Sequence, residues 1–169
     1  AASSGKEMIR SQQYRLGTIN SDAITGLVKQ TFSYFAGKEG EEKVNYSQTY
    51  TGAAGSETVR NTTISWYGTT PVRATDTSVT GDTTLNKTTQ YRLGTAGSDT
   101  LTGLTLQNVT FFDATNKLAG EEKQNYSQTY NSAGTAVLNT TLFYYNGDVR
   151  ASAASSGKEM IRSQQYRLG

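Results

Sequence analysis

The chain repeats itself, and the repeat limits what it can fold into more than any other feature. The stretch AASSGKEMIRSQQYRLG fills Ala1–Gly17 and recurs unchanged at Ala153–Gly169, a shift of 152 residues. Inside that shift lies a looser period, because YRLG starts at Tyr14, Tyr91 and Tyr166, in steps of 77 and 75. Between these marks TGLVKQTFSYF (Thr25–Phe35) answers TGLTLQNVTFF (Thr102–Phe112), and GEEKVNYSQTY (Gly40–Tyr50) answers GEEKQNYSQTY (Gly120–Tyr130). NTTISWYG (Asn61–Gly68) likewise answers NTTLFYYNG (Asn139–Gly147). The shift drifts between 75 and 80, which places insertions and deletions in the connectors. The register predicts one full unit over residues 1–152, built of pseudo-repeats at about 14–90 and 91–165, with residues 153–169 opening the next unit. In such arrays each unit buries its apolar face against its neighbours.

Within the units the pattern is that of strands. In Lys43–Tyr50, Val44, Tyr46, Gln48 and Tyr50 alternate with Lys43, Asn45, Ser47 and Thr49, and Gln124–Tyr130 repeats the alternation. The 27 Thr and 11 Tyr favour strands, the 17 Gly supply turns, and one Pro leaves the strands uninterrupted. Strands are expected near Glu7–Leu16, Gly26–Phe35, Glu42–Tyr50, Val59–Tyr67, Val72–Val79 and Thr83–Leu93. The second half repeats them near Leu101–Phe112, Glu122–Tyr130, Ala136–Tyr145, Val149–Ser155 and Lys158–Leu168. Short connectors make these antiparallel hairpins, and Asn146–Gly147 is the strongest local turn signal because both residues tolerate positive φ. The expected fold is all-β: antiparallel hairpin repeats stacking into a continuous spiral or solenoid-like sheet, or a sandwich array. About ten strands per unit at ~4.8 Å would advance a fibre by roughly 48 Å.

The hairpin LFYYNGDVRAS (Leu142–Ser152), with its turn at Asn146, Gly147 and Asp148, and its diverged copy ISWYGTTPVRATD (Ile64–Asp76) resemble the Rhs/YD repeat family. That family pairs an aromatic strand with a Gly turn and an Arg-containing return; here Asn146 or Gly68 stands at the family's Asp, and the return is Val-Arg-Ala. The resemblance implies long antiparallel strands coiled into a spiral sheet, which in that family forms large extracellular shells.

Chemistry is thinly represented. With neither His nor Cys, the chain lacks a Ser–His or Cys–His pair, disulfides and thiolate metal sites. Glu41/Glu42 and Glu121/Glu122 recur as carboxylate pairs, but in turn-to-strand positions that suit a solvated surface rather than glycosidase chemistry. Asp22 and Asp99 fit Asx turns better than stacked calcium-binding loops. No enzyme activity and no cofactor are expected. A net charge of +2 without a basic stripe gives no reason to expect nucleic acid, and no run reaches the ~20 apolar residues of a membrane helix.

Six N-x-Ser/Thr sequons occur, and Asn45 pairs with Asn125, and Asn61 with Asn139, across the halves. If glycosylated, Asn45 and Asn125 are the favoured acceptors, on the polar face opposite Tyr46 and Tyr126. Tyr46, Tyr50, Tyr126 and Tyr130 form aromatic ladders, expected to fill the space between sheets with their hydroxyls paired. The sequence therefore leads to an extracellular or cell-surface structural segment of a fibre, sheath or adhesin stalk, whose partner is itself, through neighbouring repeats or identical subunits. The alternative is a carbohydrate-binding β-module with exposed Tyr and Thr surfaces, and glycans as partner.

Overall fold

The computed structural model describes residues 6–167; the outer parts of the two identical segments, at 1–5 and 168–169, lie outside it, as does the end of the strand expected at Lys158–Leu168. Ten strands form one antiparallel sheet. They are β1 (Arg10–Arg15), β2 (Val28–Ala36), β3 (Lys43–Thr51), β4 (Thr58–Tyr67), β5 (Val72–Arg73), β6 (Leu85–Arg92), β7 (Thr105–Asp113), β8 (Lys123–Tyr130), β9 (Val137–Tyr145) and β10 (Met160–Arg167). Nine follow one another across the sheet in chain order, while the two-residue β5 hangs from β4. The sheet does not close, so β1 and β10 are its edges.

All-β antiparallel hairpins are thus what the chain forms, but the described strands make a single sheet rather than a sandwich. Two expected strands are also cut short. Val72–Val79 pairs only at Val72–Arg73, because Asp76 Oδ1 accepts from the Ser78 N–H (2.9 Å) and hydroxyl (2.7 Å) and curls the backbone into a turn. Val149–Ser155 keeps one bridge, Tyr145 to Val149, and then winds into a 3₁₀ turn at Ala151–Ala153. Ala151 and Ala154 are buried against Tyr145, where small side chains let the backbone approach the sheet.

The ladder of the first half is copied by the second. Tyr34 faces Tyr46 as Phe111 faces Tyr126, and Gln48 faces Thr62 as Gln128 faces Thr140. Register slips recur in step, at Gln13/Tyr14 and Gln90/Tyr91, and at Thr49/Tyr50 and Thr129/Tyr130. The halves meet at β6. Along β7 it keeps the register of β1 along β2, with Tyr91 opposite Leu106 as Tyr14 is opposite Lys29. Along β4 it keeps the register of β10 along β9, with Tyr91 opposite Thr62 as Tyr166 is opposite Thr140. β1, β6 and β10 are one strand type with two pairing edges, and only β6 uses both.

Residues directly opposite one another share a face of the sheet. One face carries Phe32, Tyr46, Gln48, Ile64 and Val109; the other carries Ser33, Ser47, Thr63, Gln90 and Asn108. The polar face is stitched by side-chain bonds such as Asn61 Nδ2 to Thr49 Oγ1 (3.4 Å). The chain's own connecting loops lie against the apolar face, and one of them defines the site described next.

Candidate functional site

After β6 the chain turns at Leu93 (φ +62°) and lays Leu93–Asp99 over the apolar face of β3 and β4. Gln48, 0% exposed, is the peg that holds it. Its Nε2 donates to the carbonyls of Thr95 (2.9 Å) and Ser98 (3.0 Å), and its Oε1 accepts from the Gly97 N–H (2.9 Å) and the Tyr50 hydroxyl (3.1 Å). The Thr62 hydroxyl donates to the Leu93 carbonyl at 2.9 Å. Gly94 must be glycine, since a Cβ there would collide with Thr62 Oγ1. Beyond the peg, Asp99 accepts from Arg73 Nη2 at 2.7 Å, while Arg73 Nε donates to Asn45 Oδ1 at 3.1 Å. The turn itself is made by Ser98, whose hydroxyl accepts from the Thr100 N–H at 3.2 Å. Ser21 does the same for Ala23 at 3.2 Å, so the Asx role expected of Asp22 and Asp99 falls to the preceding serines. That frees the Asp99 carboxylate for Arg73.

β8 and β9 carry the same groups without the loop. Asn125, Tyr126, Gln128 and Thr140 stand where Asn45, Tyr46, Gln48 and Thr62 do, and Arg150 stands where Arg73 does. Tyr46, Gln48, Tyr50 and Thr62 are buried, whereas Tyr126, Gln128, Tyr130 and Thr140 are only half-buried. Lacking a carboxylate, Arg150 turns its Nη2 onto Asn125, at 2.7 Å from Oδ1 and 3.0 Å from the backbone oxygen. Its Nε is shut from solvent and has no partner among the described residues. The matching loop is present elsewhere, after β1. Leu16, Asn20 and Gly26 have φ of +63°, +59° and +77°, against +62°, +73° and +76° at Leu93, Gly97 and Gly103. Every residue of this Leu16–Asp22 loop is exposed, Ile19 at 90%.

Of Tyr46, Tyr50, Tyr126 and Tyr130, the first three pack on aromatic neighbours within the one sheet. Tyr46 stacks on Tyr34 with centroids 4.3 Å apart, Tyr126 stacks on Phe111 at 4.4 Å, and Tyr50 leans on Phe32 at 5.0 Å. Burial pushes the phenols of Tyr46 and Tyr50 up to about 12. Buried in this way, those two offer no open platform to a sugar. The sequons divide differently from the alternation. Phe35 faces Val44 while Tyr34 faces Tyr46, so Asn45 is the extra residue of a bulge and is buried beside Tyr46. Asn125 sits in the same bulge, and its amide oxygen serves Arg150. The expected placement of Asn45 and Asn125 opposite the tyrosines on the polar face is therefore corrected: bulges were invisible in the alternation. Asn61 and Asn139 lie opposite Thr49 and Thr129 and are half-buried.

At the Asn146–Gly147–Asp148 turn, positive φ falls on Gly147 (+88°) and Asp148 (+56°), one position later than the sequence suggests. Tyr145 and Val149 close the turn by exchanging backbone bonds of 2.9 and 3.2 Å. Arg162 of β10 then latches onto it: Nε and Nη2 donate to the two Asp148 oxygens at 2.8 and 3.2 Å, and the guanidinium lies 3.7 Å from the Tyr144 ring centre. Lys87 of β6 sits at 5.6 Å over Trp66 in the corresponding place.

Glu42, Glu121 and Glu122 of the recurring carboxylates are bonded to backbone. Glu42 Oε1 accepts from the Met8 N–H at 2.9 Å, and Glu122 Oε1 from the Leu85 N–H at 2.8 Å. The Met8 bond holds the Glu42 carboxyl below the usual range. Glu121 accepts from the Leu118 N–H at 3.1 Å. Among the described residues no helix is long and apolar enough to cross a membrane. The chain matches no protein-family model, no curated protein and no solved structure.

Proposed function

We propose that this chain is a structural segment of a long tandem-repeat β protein, forming a fibre, sheath or adhesin stalk at the cell surface. The observation that carries the reading is β6, which joins the two halves with one edge paired as β10 is and the other as β1 is. Any further unit can continue the sheet by the same two registers, with no new kind of contact. Open edges of this sort are ordinarily shielded or covered, because unpaired backbone groups recruit other strands. The likeness of the aromatic–turn–Arg hairpins to Rhs/YD repeats agrees with a scaffolding role.

The path through the sheet takes four strands from each half, β1–β4 and β6–β9. A filament of this kind advances about 38 Å per unit and about 19 Å per half at ~4.8 Å per strand. That is shorter than a count of ten strands gives, because β5 adds nothing to the path and β10 repeats β1. Fibre diffraction and electron microscopy of the concentrated protein test this. Smooth filaments with a ~4.8 Å reflection along the axis are expected; separate beads joined by gaps would sink the reading.

A further inference from the structure

We infer that the half-buried surface around Gln128, Thr140 and Arg150 is the seat for the Leu16–Asp22 loop of a second copy of this unit. The inference rests on the tandem reading above and adds to it a specific side-chain lock at the junction. Its template lies inside the molecule, where Leu93–Asp99 occupies the corresponding seat on Gln48, Thr62 and Arg73.

Transferred to the second seat, each bond finds its group. Gln128 bonds the carbonyls of Thr18 and Ser21 and the N–H of Asn20, Thr140 bonds the carbonyl of Leu16, and Asp22 pairs with Arg150. Three independent details fit this occupant. First, the loop is already folded for the purpose: Ser21 N–H to Thr18 O (3.2 Å) repeats Ser98 N–H to Thr95 O (3.0 Å). Second, the seat lacks only what the loop supplies, because Arg150 Nε is enclosed and unpartnered among the described residues and Asp22 is exposed. With a carboxylate in place, the guanidinium can adopt the arrangement of Arg73, with Nε on the asparagine and Nη2 on the acid. Third, the one awkward substitution in the loop is matched in the seat. A Cβ at Gly97 would lie 3.5 Å from the Tyr34 hydroxyl; the corresponding loop residue is Asn20, and the corresponding ring is Phe111, which has no hydroxyl. Gly17, which has open space around it here, aligns with Gly94, the position that Thr62 forces to be glycine. Between separate chains, the second copy brings its β1 beside β9 in the place of β10, whose Arg162–Arg167 sequence is the same as Arg10–Arg15.

The test is a charge exchange read by sedimentation over a wide concentration range. Wild type associates as its concentration rises. Asp22→Arg and Arg150→Asp each weaken association by about tenfold or more, and an equimolar mixture of the two regains it, since each supplies the charge the other needs. Gln128→Ala, at a half-exposed position, also weakens association while its melting temperature stays near that of wild type, which keeps the test decisive even if Arg150→Asp folds poorly. Association that persists unchanged through these variants would overturn the loop seat and leave edge pairing, and with it the tandem reading, intact. A wild type that stays monomeric throughout would overturn both.

Discussion

Gln48 and Gln128 sit in the same undecapeptide, differing at one position, and have different surroundings. Gln48 is fully buried under a loop whose Thr95 and Ser98 carbonyls and Gly97 N–H it bonds, and of these three only the Thr95 carbonyl also takes a bond from within the loop; Gln128 keeps access to water. Removing an amide that bonds several groups leaves those without a second partner, such as the Ser98 carbonyl and the Gly97 N–H, unpaired, at roughly 1–3 kcal/mol apiece. Gln48→Ala should therefore cost about 2–4 kcal/mol in urea unfolding, and Gln128→Ala, measured on the dilute monomer, less than about 1 kcal/mol. Equal losses would mean that the Leu93–Asp99 loop is not held by Gln48. The tyrosines give a second residue-scale test. An unfolded phenol titrates near 10, and burial raises Tyr46 and Tyr50 to about 12. Because the folded value is the higher one, the folded state binds more protons between those two points. Their contribution to stability is thus complete below pH ~10 and is lost as pH climbs toward 12. Absorbance at 295 nm should show exposed tyrosines ionising first and a later group ionising together with unfolding; one single ordinary transition would contradict the burial.

Turns and strands carry the next level. Gly147 holds φ +88° at the closing hairpin, where a branched side chain is strained by ~1 kcal/mol or more. Gly147→Val should lower the melting temperature and loosen the Arg162–Asp148 latch, while Lys158→Ala, at a half-buried lysine whose side chain makes no hydrogen bond or ion pair among the described residues, should leave it nearly unchanged. Matching melts for the two would refute the turn geometry. How far such elements can be read from sequence follows from what alternation encodes. It located the main strands because each has one apolar and one polar row. It could not register the bulges, which insert a residue without altering composition, and so it misplaced Asn45 and Asn125. Nor does an apolar row state what will cover it: a facing sheet and the Leu93–Asp99 loop would leave the same pattern in β3 and β4. Val72–Val79 and Val149–Ser155 look extended by composition, yet local side-chain bonding at Asp76 and the small Ala151 and Ala154 bend them into turns. Of the candidate site, Tyr46 and Tyr50 were legible; Gln48, Thr62 and Arg73 were not, because an isolated Gln or Thr in a polar chain carries no signal until its loop partner is known.

On the scale of the whole molecule, each strand of the path is held by the strands on either side and by the loops above it, with no second sheet among the described residues to tie distant strands together. Stability in such a one-dimensional arrangement is close to a sum of nearest-neighbour terms, so opening should proceed from the edges inward rather than all at once. The three copies of one strand type provide an internal control. β1 and β10 have one partner each and are almost wholly exposed, whereas β6 has two and is mostly half-buried. Sequence differences between Ser-Gln-Gln-Tyr-Arg and Thr-Thr-Gln-Tyr-Arg are too slight to separate their exchange rates; position in the sheet must do so. Hydrogen exchange on the dilute protein should therefore show amides of β6 protected by orders of magnitude more than those of β1 and β10, with β4 and β7 nearly as slow as β6. When the concentration is raised until sedimentation detects association, β1 should gain protection toward the level of β6, and the Leu16–Asp22 amides should slow toward those of Leu93–Asp99. Uniform protection across all ten strands in the dilute protein would instead mean one all-or-none unfolding unit, and the nearest-neighbour description of the sheet would have to be abandoned.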